Sequence, residues 1–246
     1  MSVIKISILT AVYNESESLP FLIESLAKQT DIDFEWVVAD GGSTDNTLEL
    51  LESASKKFKN LVVNSKEDCG IYDALNRSLN ISTGDYYLVA GADDSFEIDA
   101  IKNFKEAISL HFADLVVAKI RFGSKTKLKA MPSWMFLYGA SSKISNHAVG
   151  LAIKKDLHSE FGLYDVGYHI YADSHFLHKA LLGGAVVSYH DFVSGNYCTE
   201  GTSNMNKVIS FCEQFRSQVE NGASWPLQLL LFSLRIAKWG LMGRLR

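Results

Sequence analysis

Cysteine is scarce in this chain. Its 246 residues include three, Cys69, Cys198 and Cys212. They lie far apart and are odd in number, which argues against a disulfide scaffold and for a reducing compartment. Basic charge is also in short supply: 24 Lys and Arg against 28 Asp and Glu leave a net charge of −4. With no zinc-ligand spacing and no aromatic–basic repeat, this argues against nucleic acid as the partner. No stretch offers roughly 18 uncharged apolar residues, so no transmembrane span is expected. The opening MSVIKISILTAVYN sets a lysine inside an apolar run and lacks a small-residue cleavage site. It reads as a strand and not as a leader. Glycine-rich nucleotide loops are missing too. The first turn, AVYNESES, matches neither GxGxxG nor GxxxxGK(S/T). Internal repeats and low-complexity segments are absent.

What remains is a chain with 47% apolar residues, enough to build one sizeable core. Short β-branched runs alternate with helical patterns through the first half. Strands are expected at Ile4–Val12, Phe34–Ala39, Asn60–Asn64, Tyr86–Ala90 and Asp114–Ile120. Helices are expected at Glu15–Gln29, Thr44–Phe58, Ile71–Leu79 and Asp99–Leu110. Such alternation predicts an α/β fold with a mostly parallel central sheet, covered on both faces.

In such a sheet, ligands bind outside the carboxyl ends of the strands. The polar clusters fall at those ends. Tyr13, Asn14 and Glu15 follow the first strand, and DGGSTDNT (Asp40–Thr47) follows the second. Asp68 and Gly70 follow the third, and GADD follows the fourth. Asp93 and Asp94 repel each other unless a cation or a turn relieves them. Mg²⁺ or Mn²⁺, bridging carboxylates to substrate phosphates, suits that need in a chain without a phosphate-binding glycine loop. An Asx turn or a helix N-cap is the alternative.

Four stretches, ISILTAVYNESESL, FEWVVADGGSTDNTLELL, EDCGIYDALNRSLNISTGDYYLVAGADD and, more loosely, YDVGYHIYADSHFLHKAL, together resemble the family 2 glycosyltransferases of the GT-A fold. The similarity is greatest to small bacterial enzymes of surface polysaccharide biosynthesis. It implies a single Rossmann-like nucleotide-binding domain with a C-terminal helical extension. The division expected is 1–120 for a nucleotide-sugar half, 121–220 for an acceptor half and 221–246 for the terminal helix. The activity implied is inverting, metal-dependent transfer from a nucleotide sugar, with UDP expected as the nucleotide, to a saccharide or lipid-linked saccharide.

The resemblance also implies roles. Tyr13 lies near the uracil, Asp40 accepts from the base, and Asp68 helps hold the nucleoside. Arg77 stands near the diphosphate, or pairs with Asp73 one helical turn away. Asp93 contacts the ribose or a metal-bound water, and Asp94 ligates Mn²⁺ or Mg²⁺. Asp173 is the general base, with an N-cap aspartate as the alternative reading. His147 and His190 are candidate acceptor or metal contacts. Ser43 or Thr44 is a candidate N-cap for the second helix. A nucleotidyltransferase is the alternative enzyme, and a non-catalytic nucleotide-binding or interaction protein the alternative class.

The last 24 residues, ASWPLQLLLFSLRIAKWGLMGRLR, carry four basic residues and no acidic one, so the rest of the chain stands near −8. Read as a helix, Gln228, Arg235, Lys238 and Arg246 fall near one side and leucines and tryptophans fill much of the rest. The pattern predicts peripheral membrane contact through 225–246, with the basic side toward anionic lipid, or else packing on protein. The expected location is the cytoplasm, on the inner face of the plasma membrane.

Overall fold

The computed structural model describes residues 4–122, 125–127, 135, 139–144, 148–196 and 207–243. In chain order the elements are β1 (Ile6–Val12), α1 (Leu19–Ala27), β2 (Glu35–Asp40), α2 (Thr47–Ser55), β3 (Leu61–Ser65), α3 (Ile71–Ile81), β4 (Tyr86–Val89), β5 (Ser95–Phe96), α4 (Ala100–His111), β6 (Leu115–Phe122) and β7 (Lys125–Lys127). Then come β8 (Leu151–Lys154), α5 (Leu157–Phe161), α6 (Ala172–Leu182), β9 (Val187–Asn196), α7 (Lys207–Glu220) and α8 (Trp225–Gly243).

The strands join in the order β3-β2-β1-β4-β8-β6-β9-β5, with β7 on β6. β1 to β4 are parallel, β8 enters reversed, and β6 and β9 resume the first direction. The sheet is therefore largely parallel, as an alternation of strands and crossover helices requires. Both faces are covered, which is why β1 and β2 lack a polar–apolar alternation. Ile8, Trp36 and Val38 bury toward Leu22, Leu26, Leu51 and Phe104, whereas Leu9 and Val37 bury on the other side with Leu75, Leu79 and Phe176.

Register brings the strand ends level. Val12 pairs with Asp40, and Asp40 with Ser65. One row of three parallel strands thus ends on a single line, from which the loops after β1, β2 and β3 all depart. At the other end of the chain, α7 and α8 form a helical hairpin, with Phe215 and Phe232 in ring contact at 5.9 Å.

Candidate active site

Asp40 closes β2 and is fully buried. Its carboxylate accepts from Gly42 N (3.0 Å), Ser43 N (3.1 Å) and Ser65 Oγ (2.6 Å). Burial alone would raise its pKa. The side chains of Ser43 and Ser65 and the amides of Ser43 and Gly42 outweigh that and hold it below the usual carboxylate range. The charge is thus stabilised by the turn it begins, and Gly42 supplies the positive φ of 88° that the turn needs.

The loop after β1 is fastened to that same turn. Asn14, at φ 54°, accepts on Oδ1 from Thr44 N at 2.8 Å, while its own N–H donates to Ser43 Oγ at 2.8 Å. Glu15 N donates to Thr47 Oγ1 (2.9 Å) and Ser16 N to Asp45 Oδ2 (3.1 Å). Tyr13 is left exposed beside this zipped pair of loops. Ser43 and Thr44 are therefore cross-loop partners and not the expected N-cap; α2 starts later, with Asn46 at its N-cap position.

Arg77 does not use its helical neighbour. Its guanidinium reaches Asp68 Oδ2 (3.2 Å), Asn64 Oδ1 (2.8 Å) and the carbonyl oxygen of Asp40 (3.3 Å). Asp73 instead accepts from Cys69 N at 3.2 Å. The pairing with Asp73 offered by the i, i+4 spacing gives way to one that links α3 to the ends of β2 and β3. Gly41 makes this possible: a Cβ there would stand 2.8 Å from Asp68 Oδ2, inside contact distance. Asp40, Asp68 and Arg77 thus form one continuous charged cluster at the carboxyl edge.

Asp93 and Asp94 follow β4. Asp94 is 3% exposed and accepts from Gly91 N at 2.9 Å, while Asp93 is exposed to solvent. Asp93 Oδ1 and Asp94 Oδ2 lie 2.7 and 3.2 Å from the point where a Cβ of residue 91 would sit. Gly91 is what lets two carboxylates crowd one turn. Among the described residues, no group of three or more His, Cys, Asp and Glu gathers where a metal could be held. Two adjacent hard oxygen donors suit an ion of the Mg²⁺ or Mn²⁺ type, which keeps waters and takes substrate phosphates as its other ligands.

Asp173 is the second residue of α6. Tyr171 holds the N-cap position, so the N-cap alternative does not describe Asp173. Its Oδ1 accepts from Tyr72 Oη at 3.2 Å and from Ser174 N at 2.6 Å. The single Tyr72 hydroxyl proton is shared with the Ile170 carbonyl oxygen at 2.6 Å, so α3 holds the start of α6 from one side. Burial, followed by the Asp173 charge, keeps the Tyr72 phenol well above its ordinary pKa and protonated as the donor.

Glu213 of α7 holds it from the other side. Its carboxylate accepts from three successive amides, His169 N (2.7 Å), Ile170 N (2.9 Å) and Tyr171 N (3.0 Å). Sequence reasoning missed this residue, because no local signal links positions more than 40 residues apart. Glu213→Gln replaces one acceptor oxygen with a donor facing amide donors. It is expected to lower stability by about 1–3 kcal/mol, measured by urea unfolding. An unchanged midpoint would contradict the geometry.

Of the two histidine candidates, His190 is the one described, and it stands apart from this edge. His190 lies inside β9, not after it, and its Nε2 is 3.1 Å from Ser188 Oγ. Its ring sits 5.4 Å from that of His111, at the end of α4. Burial and then His111 lower its pKa. The contact between β9 and the strand beginning at Ser95 is made by Gly195 and Asn196, roughly 20 Å further along at about 3.3 Å per residue. The structure thus does not bring His190 together with Asp93 and Asp94. His147 lies outside the described residues.

Comparison with known proteins agrees with this architecture. The TarS 1–349 chain of S. aureus, solved in complex with UDP, superposes with a TM-score of 0.71 at 21% identity, covering 93% of this chain and 70% of that one. The mannosyltransferase PcManGT from Pyrobaculum calidifontis, solved with GDP-Man and Mn²⁺, gives 0.64 at 18% identity, covering 96% and 75%. These likenesses establish a GT-A-like fold. A PGL/p-HBAD biosynthesis glycosyltransferase of Mycobacterium bovis is 30% identical over 202 residues, 78% of this chain and 75% of that protein. Residues 7–168 match the family described as Glycosyl transferase family 2, which spans β1 through the loop before α6, and the chain belongs to that family of glycosyltransferases.

Proposed function

We propose that this glycosyltransferase moves a sugar from a UDP-sugar, with inversion, to a hydroxyl of a saccharide or lipid-linked saccharide acceptor. The observation that carries the reading is the convergence of Asp40, the Asp68–Arg77 pair and the Asp93–Asp94 pair at the carboxyl edge of four parallel strands. Tyr13 and Asp40 take the uracil end, and Asp68 with Arg77 borders the nucleoside and diphosphate. Asp94, with Asp93 beside it, would hold Mn²⁺ or Mg²⁺. Such an ion supplies Lewis-acid stabilisation of the charge that develops on the departing diphosphate. The solved neighbours carry UDP in one case and GDP-Man with Mn²⁺ in another. That fits a nucleotide site of this kind without choosing the base; UDP rests on Tyr13 and Asp40.

Direct displacement needs one proton acceptor on the face opposite the leaving group. Asp173 supplies it. A carboxylate oxygen takes the proton of the acceptor hydroxyl as that oxygen bonds to the anomeric carbon and the bond to the diphosphate breaks. Tyr72 and the Ser174 amide keep that carboxylate pointed. The acceptor half is 121–220, and the segment 225–246 gives the enzyme a peripheral contact with the inner membrane face.

A panel of UDP-, GDP- and dTDP-sugars, titrated with Mn²⁺ and again with chelator, tests the donor. UDP-sugars are expected to bind at least tenfold tighter than the others and to be hydrolysed slowly without acceptor. Tighter binding of a GDP- or dTDP-sugar would overturn the base assignment. Metal-independent binding of a protein partner, with no nucleotide affinity, would favour the non-catalytic alternative.

A further inference from the structure

Helix α8 is amphipathic in the reverse of the usual sense. A helix on a water-soluble surface turns leucines inward and charges outward. Here Gln228 is 0% exposed, and Arg235, two turns further on, is also turned toward protein. The opposite side carries Leu227, Leu230, Leu234 and Ala237, all exposed, with Leu230 at 58% and Leu234 at 57%. Trp225 and Trp239 stand exposed near the two ends, about 21 Å apart at 1.5 Å per residue. The lipid-facing side expected from sequence thus has Gln228 and Arg235 the wrong way round. Of that group Lys238 is outward, and Arg246 lies outside the described residues.

We infer that the Leu227–Leu230–Leu234–Ala237 face of α8 is the surface that docks on an anionic bilayer, with the helix lying in the interface plane. The inference rests on the peripheral-membrane part of the proposed function and reverses which face does the binding. Two observations choose this occupant. The exposed leucines form one ridge with Lys238 at its border, a basic side chain beside an apolar face. The segment has four positive charges and no negative one, in a chain otherwise near −8, so an anionic surface attracts this end and repels the remainder. The same four charges oppose pairing with the identical segment of a second copy. Among the described residues no helix is long and apolar enough to cross a membrane, so the helix lies on the surface.

Flotation with vesicles of phosphatidylcholine, with and without 30% phosphatidylglycerol (roughly the charge density that attracts basic segments), tests this on the full chain. Wild type is expected to float with the anionic vesicles. Leu230→Glu with Leu234→Glu is expected to cut flotation at least tenfold. Lys238→Gln should reduce it roughly fivefold, the equivalent of about 1 kcal/mol per basic residue. Melting temperature and UDP binding, unchanged in both variants, show that the fold is intact. Flotation insensitive to the leucine changes but lost on reversing Arg235 and Lys238 would overturn the inference and leave the peripheral contact standing. No flotation of wild type would overturn both. A leucine variant that turns a dimer into a monomer in sedimentation, with flotation unchanged, would assign the face to a second copy.

Discussion

Asp173→Asn is expected to lower kcat by roughly 10²–10⁴, the scale of lost general-base assistance, while leaving the fold and donor binding near wild type. The geometry makes the substitution clean. Asp173 is not the N-cap of α6, so no cap is lost. Tyr72 Oη and Ser174 N both donate to its Oδ1, and an asparagine carbonyl accepts from both equally well. What disappears is the ability to take a proton. The measurements are kcat, UDP affinity in Mn²⁺ and melting temperature. A stable variant with kcat within about threefold of wild type (against the 10² or more expected) would remove Asp173 from the mechanism. Asp165 and Asp191 are poorer substitutes, since Asp165 faces Arg216 at 3.6 Å and Asp191 is paired with Lys119.

Asp94→Ala is expected to abolish transfer, with a loss of roughly 10³-fold or more if several kcal/mol of charge stabilisation depend on this carboxylate. Because Asp94 is buried and also accepts from Gly91 N, alanine removes a turn contact as well. Asp94→Asn separates the two roles. It can still accept from the Gly91 amide but is a neutral and much weaker ligand for a hard cation. Calorimetry of UDP with Mn²⁺ and with chelator is the measurement. In both variants the difference between the two conditions should collapse. A metal enhancement equal to wild type would exclude the ligand role, and its survival in Asp94→Asn alone would assign the residue to the turn.

Sequence patterning located the polar edge of the sheet because its parts are local. Each polar cluster directly follows its own strand, and a parallel sheet brings those ends to one line. The same reasoning left Arg77 between Asp73 and the diphosphate, since a helical neighbour at i+4 is visible in one dimension and Asp68 in the preceding loop is not. Asn64 and Ser65 escaped notice for a similar reason: they matter only because register sets Ser65 beside Asp40. In α8 the pattern showed that two faces exist. It could not say which one faces protein, because that depends on α7, an independent segment. His190 reads as a strand end until β9 extends past it to Asn196.

The three bonds from Glu213 bear on how portable parts of this enzyme are. A graft that exchanges residues 207–246 for the hairpin of a relative removes the acceptor of three consecutive N–H groups, 42–44 residues upstream. The transplanted helices can form perfectly well and still leave the start of α6 untethered, at a cost of about 1–3 kcal/mol per amide left unsatisfied. The loop 169–171 and the carboxylate that seats it therefore form a single exchangeable cassette. A chimera keeps a well-seated α6 only when both halves come from the same parent.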